Sequence, residues 1–292
     1  MTRSQTLPEK GNEPLSVWRF SLYWTLQVSL WFTGLHLLFP REMKQELTGG
    51  LLKCLALIGM FILSKAGTGL FEHLFHRYVL HTSIIPFLRY FFREHARHHA
   101  LTDVICFKGK EKTPCPAIDR YAILEPEQNR ASFFPYWGLS VFFVSLIPFI
   151  AIPQLLFPSI PFVIPGYAAI AFAYAFYEIV HRIEHFSEEW WGVRKSHPRL
   201  GKFYTWFHAF HKAHHLDIHC NEGISGFFGI PIWDFLLGTY ARLRRPVRAG
   251  VTLEKEDFIV PTPRWPIRVL DQFAAWLIRP KTKKIQSLKP AA

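Results

Sequence analysis

The stretch Ala131–Tyr177, ASFFPYWGLSVFFVSLIPFIAIPQLLFPSIPFVIPGYAAIAFAYAFY, holds forty-seven residues and no charged side chain. One membrane crossing takes about 20 apolar residues, so this stretch is too long for one span and right for two. Five prolines (Pro148, Pro153, Pro158, Pro161 and Pro165) gather around its middle, where a hairpin has to turn. Crossing twice returns the chain to the side it left. The segments before Ala131 and after Tyr177 therefore face one compartment.

Upstream, Phe20–Phe39 runs twenty residues without a charge, and Trp18, Trp24 and Trp31 suit interfacial anchoring. Pro40–Glu46 reads as a short polar turn. Leu47–Phe71 is a second apolar stretch interrupted by Lys53 and Lys65. Lys53 can snorkel to one interface; Lys65 needs the other interface, a tilt or partial insertion. The fold class expected is all-α and integral to a membrane, with about four transmembrane helices and a cytosolic, histidine-rich helical cap. Residues 1–16, with Pro8, Gly11 and Pro14, read as a flexible tail without the cleavage site of a signal peptide. The rest, 17–292, reads as one domain.

The whole composition agrees. Of 292 residues 50% are hydrophobic and 16% aromatic, yet the net charge is +12. A chain both apolar and basic suits a membrane protein with its charges on one surface, and the positive-inside tendency makes that surface cytosolic. The basic residues are scattered among apolar runs, which argues against nucleic acid as a partner. Cys54, Cys106, Cys115 and Cys220 show neither CxxC pairing nor disulfide-scaffold density. Residues 100–130 read as a polar loop or cap, and 187–205 as a tryptophan-rich connection in which His197 is a turn residue. Residues 264–279 have helical apolar spacing and suit a helix lying on the membrane or on the domain.

On the side shared by both flanks of the hairpin stand four histidine boxes. His76 and His81 form HxxxxH; they diverge by about 140° on an ideal helix and meet only if the helix ends or bends. His95, His98 and His99 form HxxHH. His181 and His185 are i, i+4. His211, His214 and His215 repeat HxxHH within Trp206–Asn221, WFHAFHKAHHLDIHCN. Residues at i, i+3 and i+4 share one helix face. His208 and His219 extend the last stripe by one turn each way. Neutral imidazole is the commonest metal ligand near pH 7, and ten imidazoles suffice for two metals. Iron, zinc, copper and nickel all accept them. A different reading takes His181-Arg-Ile-Glu-His185 as the HxxEH of a membrane zinc peptidase with Glu184 as base; it leaves eight box histidines unused. A non-enzymatic metal carrier is a third reading, and it would need a polar path across spans that hold few polar ligands besides His36.

The boxes His76-x4-His81, His95-x2-His98-His99 and His211-x2-His214-His215 resemble the fatty acid hydroxylase superfamily, which includes sterol desaturases. Glu72, Arg77 and the passage Gly223–Asp234 with Gly238-Thr239 resemble its fatty acid 2-hydroxylase branch. The similarity covers roughly residues 60–240. Glu178 stands where several relatives have Asp, and the chain has no fused cytochrome b5-like domain with His-Pro-Gly-Gly. The resemblance implies an integral-membrane, non-haem di-iron oxygenase whose irons use O2 to hydroxylate or desaturate a lipid, with zinc as a substitute metal in purified protein. It implies an external electron donor, a cytochrome b5 or a ferredoxin with its reductase. The metal ligands implied are the ten box histidines. Glu72, Glu178, His208, His219 and Asn221 are expected just outside them. Fatty acyl chain, ceramide, sterol and carotenoid all remain open as substrates. Endoplasmic reticulum and bacterial inner membrane both fit, since Lys289–Ala292 is no clear retrieval signal.

Overall fold

A computed structural model describes residues 17–109 and 111–279; the tail expected at 1–16 and the Lys289–Ala292 end lie outside the described residues. The fold is mostly helical. In chain order it runs through α1 (Val17–Leu38), α2 (Pro40–Leu47) and α3 (Leu51–Phe75), which passes without a break into a π-helical turn, His76–Leu80. Next come α4 (Arg89–Leu101), the strands β1 (Val104–Lys108) and β2 (Thr113–Asp119), and α5 (Pro126–Ala131). α6 (Gly138–Leu156) and α7 (Val163–Glu184) form the hairpin. α8 (Glu188–Lys195), α9 (Gly201–Leu216), α10 (Ile232–Leu237) and α11 (Trp265–Ile278) complete the chain.

Among the described residues, three helices are long and apolar enough to cross a membrane: α3 with its π extension, α6 and α7. α1 is as long as α7 but is not one of the three. Its Tyr, Trp, Ser, Thr and Gln side chains lower its hydropathy, and this is where the expected count of four departs from the structure. α1 still packs along the others. Trp24 Nε1 donates to Ala171 O (3.0 Å) and Trp31 Nε1 to Ser140 Oγ (3.0 Å). Leu35 of α1 shares one core cluster with Phe143 and Tyr167. Outward-facing residues of α3 and α6, such as Leu52, Phe149 and Leu155, are exposed. Apolar exposure on that scale is of the kind that a membrane or a protein partner covers.

Four local readings are corrected. Pro40–Glu46 is the helix α2 rather than a turn, with its proline at the first position, where no N–H is needed. It places Glu46 to accept from Val163 N (3.0 Å) and Ile164 N (2.7 Å), a carboxylate at the start of α7. Residues 100–130 are not loop alone: β1 and β2 pair antiparallel, with a register shift between Ile105 and Phe107. Pro114 and Pro116 disguised that hairpin, because proline normally argues against a strand. The 187–205 connection contains α8, whose first turn is capped by Ser187 Oγ accepting from Trp190 N. Of the five hairpin prolines only Pro158 and Pro161 lie in the turn; Pro148 and Pro153 are inside α6 and Pro165 is in the first turn of α7.

Lys65 is fully buried and donates to Gly226 O, so neither membrane interface holds it. α11 covers the helix expected at 264–279. It buries Ile267 and Ala274 and leaves Trp265, Phe273 and Trp276 exposed.

Candidate metal centres

The ten box histidines meet at one end of the bundle and sort into two groups of five. His76, His81, His95, His99 and His214 form site A; His98, His181, His185, His211 and His215 form site B. Within each group one ligand atom from every residue lies within 4.8 Å of the others. Each HxxHH box is therefore divided. The i, i+4 pair His95/His99 serves site A while His98 serves site B. The pair His211/His215 serves site B while His214 serves site A. α4 and α9 lie between the two sites, and each lends its middle histidine to the other's pair. The triplets share one helix face, as expected, but within that face neighbouring residues point about 100° apart, and the structure sends His98 and His99 to different groups.

The π turn supplies what HxxxxH needed. His81 N–H donates to His76 O (3.1 Å), an i→i+5 bond that widens the helix and brings both rings to one face.

Hydrogen bonds fix the ring tautomers. Nδ1 of His76 meets Glu222 O (2.8 Å), and Nδ1 of His214 meets Cys220 O (2.7 Å). Nδ1 of His185 meets Tyr121 O (2.6 Å), and Nδ1 of His215 meets Thr102 O (3.0 Å). A carbonyl only accepts, so these four Nδ1 atoms carry the proton and their Nε2 atoms are bare lone pairs. His98 reaches the same state: Ser132 Oγ gives its hydrogen to Gln128 O (2.7 Å) and accepts from His98 Nδ1 (2.8 Å). Such partners orient ligand rings and raise their basicity.

The bare nitrogens converge. In site A the Nε2–Nε2 separations are 3.0 Å for His76–His95, 3.0 Å for His81–His214, 3.2 Å for His81–His95 and 3.2 Å for His95–His99. In site B they are 3.2 Å for His98–His181, 3.0 Å for His185–His211 and 3.2 Å for His211–His215. Lone pairs aimed at one another repel unless a cation takes them up. With imidazole nitrogens about 2.1 Å from a metal, neighbours at right angles stand about 3.0 Å apart. The donor sets therefore fit two metal ions. Burial, then the neighbouring imidazoles, pushes His95, His98, His99, His211 and His215 well below the ordinary imidazole pKa; His214 is pushed down to about 4. Neutral imidazole is the ligating form. Site B is buried throughout, whereas His81 and His99 leave site A partly open.

The residues expected beside the ligands are placed as follows. Glu72 accepts from Ser225 N (2.7 Å) and Ser225 Oγ, and so grips the Gly223–Gly229 loop. Glu178 accepts from Phe134 N (3.1 Å), and its second oxygen is buried without a partner among the described residues. His208 is buried against Trp191, ring centroids 4.9 Å apart, outside both groups. His219 is 68% exposed and pairs with Asp217 (2.9 Å), because the chain leaves the helix at Asp217 and the stripe ends there. Asn221, at φ 54°, donates to Phe210 O (2.8 Å) and Ala241 O (3.0 Å) and fixes the turn after α9. Glu184 is fully buried and neither of its oxygens has a partner among the described residues. His197 caps its turn by accepting from Leu200 N (3.1 Å).

Sequence reasoning missed the carbonyls of Thr102, Tyr121, Cys220 and Glu222, which no side-chain pattern reveals. It also missed the role of Asp234. This buried carboxylate accepts from Glu222 N (2.8 Å), Gly223 N (2.9 Å) and Thr239 Oγ1 (2.8 Å). A carboxylate eleven residues after Gly223, in a glycine-rich passage, was the available signal.

Beneath site A, a small cavity of about 30 Å³ lies between α3, α6 and α7, with His76 in its lining. Phe71, Phe75, Phe142, Leu146 and Ile170 make its wall apolar, and Glu72 and Tyr174 are its polar points. No family model matches the chain, nor does any curated protein or solved structure compared with it.

Proposed function

We propose that the protein is a membrane-embedded, O2-dependent di-iron oxygenase that hydroxylates or desaturates a lipid. The observation that carries this reading is the pair of five-imidazole clusters, each able to hold a metal, beside an apolar cavity that one of the ten histidines, His76, lines. Two irons, held by the ten histidines, would supply the O2 chemistry. The chain supplies the rest: the carbonyls and Ser132 that keep the lone pairs of His76, His98, His185, His214 and His215 aimed inward, and the wall of phenylalanines that makes the surroundings of His76 apolar.

Five imidazoles per site favour this reading over a zinc peptidase, whose catalytic metal keeps three protein ligands and an open position. The closed burial of Glu184 points the same way. The superfamily resemblance of the boxes supports iron, and the expected fourth span would be α1, which lies along α6 and α7. The histidine cap then faces the cytosol, where an acidic donor such as cytochrome b5 or a ferredoxin meets a basic surface. The test is lipid profiling of cells with and without the protein, together with metal analysis and O2 uptake by purified protein. Lipids that gain one oxygen or lose two hydrogens, and two metals per chain, are expected. A protein that holds both metals yet consumes no O2 with any reductant or lipid would sink the proposal.

A further inference from the structure

α11 carries two apolar stripes, where a surface helix ordinarily has one. Ile267 and Ala274 are buried against the domain. Asp271, on the same side, accepts from Arg77 Nε (2.8 Å) and Tyr78 Oη (2.9 Å). On the opposite side Trp265, Val269, Phe273 and Trp276 form a second stripe, within about 80° of one another. Among the described residues nothing covers it: exposure runs from 46% at Val269 to 68% at Trp265. Arg268 and Arg279 are exposed along one edge of this stripe. Lys281, Lys283 and Lys284 follow directly in the sequence.

The neighbours of α11 decide what meets the stripe. Arg77 and Tyr78 belong to the last turns of Leu51–Leu80, a segment long and apolar enough to cross a membrane. α10 leans on the same segment about three turns earlier, through Trp233 Nε1 donating to Ala66 O (2.9 Å). Ile62, one turn before Ala66 on that helix face, is exposed. Phe235 and Leu236 of α10 are exposed as well, and Arg264 N–H joins α11 to α10 by donating to Leu237 O (2.8 Å). The uncovered apolar residues of α10 and α11 thus stand beside the bare flank of α3, and one phase covers all three.

We infer that α10 and α11 form a docking surface for the membrane itself. The stripe from Trp265 to Trp276 sits at the boundary of head groups and acyl chains, and Arg268 and Arg279 bind the phosphates of anionic phospholipids. Tryptophan favours that layer, and a helix with arginines edging an aromatic face is built to lie in it. Each arginine near an anionic leaflet is worth about a fivefold enrichment of charged lipid. This rests on the membrane reading of the fold and not on the oxygen chemistry.

The experiment uses the full chain in phosphatidylcholine bilayers. Cys54 is the exposed cysteine and the other three are buried, so Cys54→Ser clears the background for a bimane fluorophore at Phe273→Cys, on the stripe, or at Ala275→Cys, away from it. Phosphatidylcholine brominated on its acyl chains is expected to quench severalfold more strongly at Phe273→Cys than at Ala275→Cys; aqueous acrylamide is expected to show the opposite order. Equal access of acrylamide to both positions would put the stripe in water. Shielding of Phe273→Cys from both quenchers would mean that protein covers it, either the C-terminal residues or a second copy of the chain. Either result overturns the docking surface. Brominated phosphatidylglycerol is expected to quench at Phe273→Cys at a severalfold lower mole fraction than brominated phosphatidylcholine, and Arg268→Gln with Arg279→Gln to erase most of that advantage. No advantage with the arginines present, or an undiminished one without them, overturns the head-group contact. Parental helix content and a single sharp elution peak show that each variant has folded. Docking is read without metal, O2 or reductant, so a protein that docks as described but oxidises nothing would remove the oxygenase reading alone.

Discussion

The imidazole rings of His76 and His81 lie nearly parallel, centroids 5.0 Å apart and inclined by 16°, although five residues separate them. The i→i+5 bond from His81 N to His76 O makes this possible. Site A thus depends on the residue count of this turn. Inserting an alanine after Val79 would put the two histidines six apart, about 120° around an α-helix, and is expected to leave about one metal per chain, retained in site B. Deleting Val79 puts them at i, i+4, about 40° apart, and is expected to keep the pair on one face and both metals. Two metals per chain in the insertion, or one in the deletion, would show that this spacing does not control site A.

The crossed boxes give a second prediction. If each triplet served one metal, His211→Ala and His214→Ala would be equivalent. The structure makes them opposite: His214→Ala weakens site A and His211→Ala weakens site B. Each single variant is expected to retain about one metal per chain, and the double variant neither, with a 10–100-fold loss of affinity per site as a minimum. His208→Ala is expected to keep both metals and to lose about 1–2 kcal/mol of stability through its contact with Trp191. Metal analysis after dialysis against a weak chelator distinguishes these outcomes.

That contrast shows what was legible in the sequence. Which histidines cluster could be read from box spacing, because i, i+4 pairs need only one helix. How they are shared could not, because α4 and α9 lie between two centres and the choice between His98 and His99 depends on packing. The hairpin Ala131–Tyr177 was legible from its lack of charge alone. The β1–β2 hairpin was not, since Pro114 and Pro116 sit where strand logic forbids them and Thr252 pairs with Pro116 from far along the chain. Lys65 misled as a boundary marker, because its partner is a carbonyl 161 residues away.

Asp234 should control site A from a distance. It holds the N–H groups of Glu222 and Gly223, while the carbonyls of Cys220 and Glu222 orient His214 and His76. Asp234→Ala removes three hydrogen bonds to a buried carboxylate and is expected to cost about 3 kcal/mol or more. Metal should be lost from site A before site B. Denaturant titration with metal analysis checks both; equal loss from the two sites would mean that the loop does not act through His76 and His214.

Gly226 offers a test of the same loop from the backbone. It sits at φ +45°, and an added Cβ would lie 2.5 Å from Ile230 O. Gly226→Ala must therefore shift the chain that Glu72 and Lys65 both grip. A loss of about 2 kcal/mol is expected, along with a lower yield of folded protein. A Gly226→Ala protein as stable as wild type would show that this turn relaxes freely.

Arg77 ties the π turn to α11. Its Nε and Nη2 donate to Asp271 at 2.8 Å each, and its Nη1 donates to Glu222 (2.9 Å). Burial alone would raise the Asp271 carboxyl, but the Arg77 guanidinium outweighs it and holds the group below the usual carboxylate range. A carboxylate with a depressed folded pKa contributes stability that is present above its unfolded value, about 3.9, and is lost as pH falls through the folded one. α11 should therefore stay docked at pH 5 and loosen only below about pH 4. Asp271→Asn should loosen it at every pH, with amide exchange in α11 about tenfold faster and both metals retained. Hydrogen exchange resolved by segment provides the check. If α11 exchanges at the wild-type rate in Asp271→Asn, the helix is held by Ile267 and Ala274 and the ion pair adds nothing.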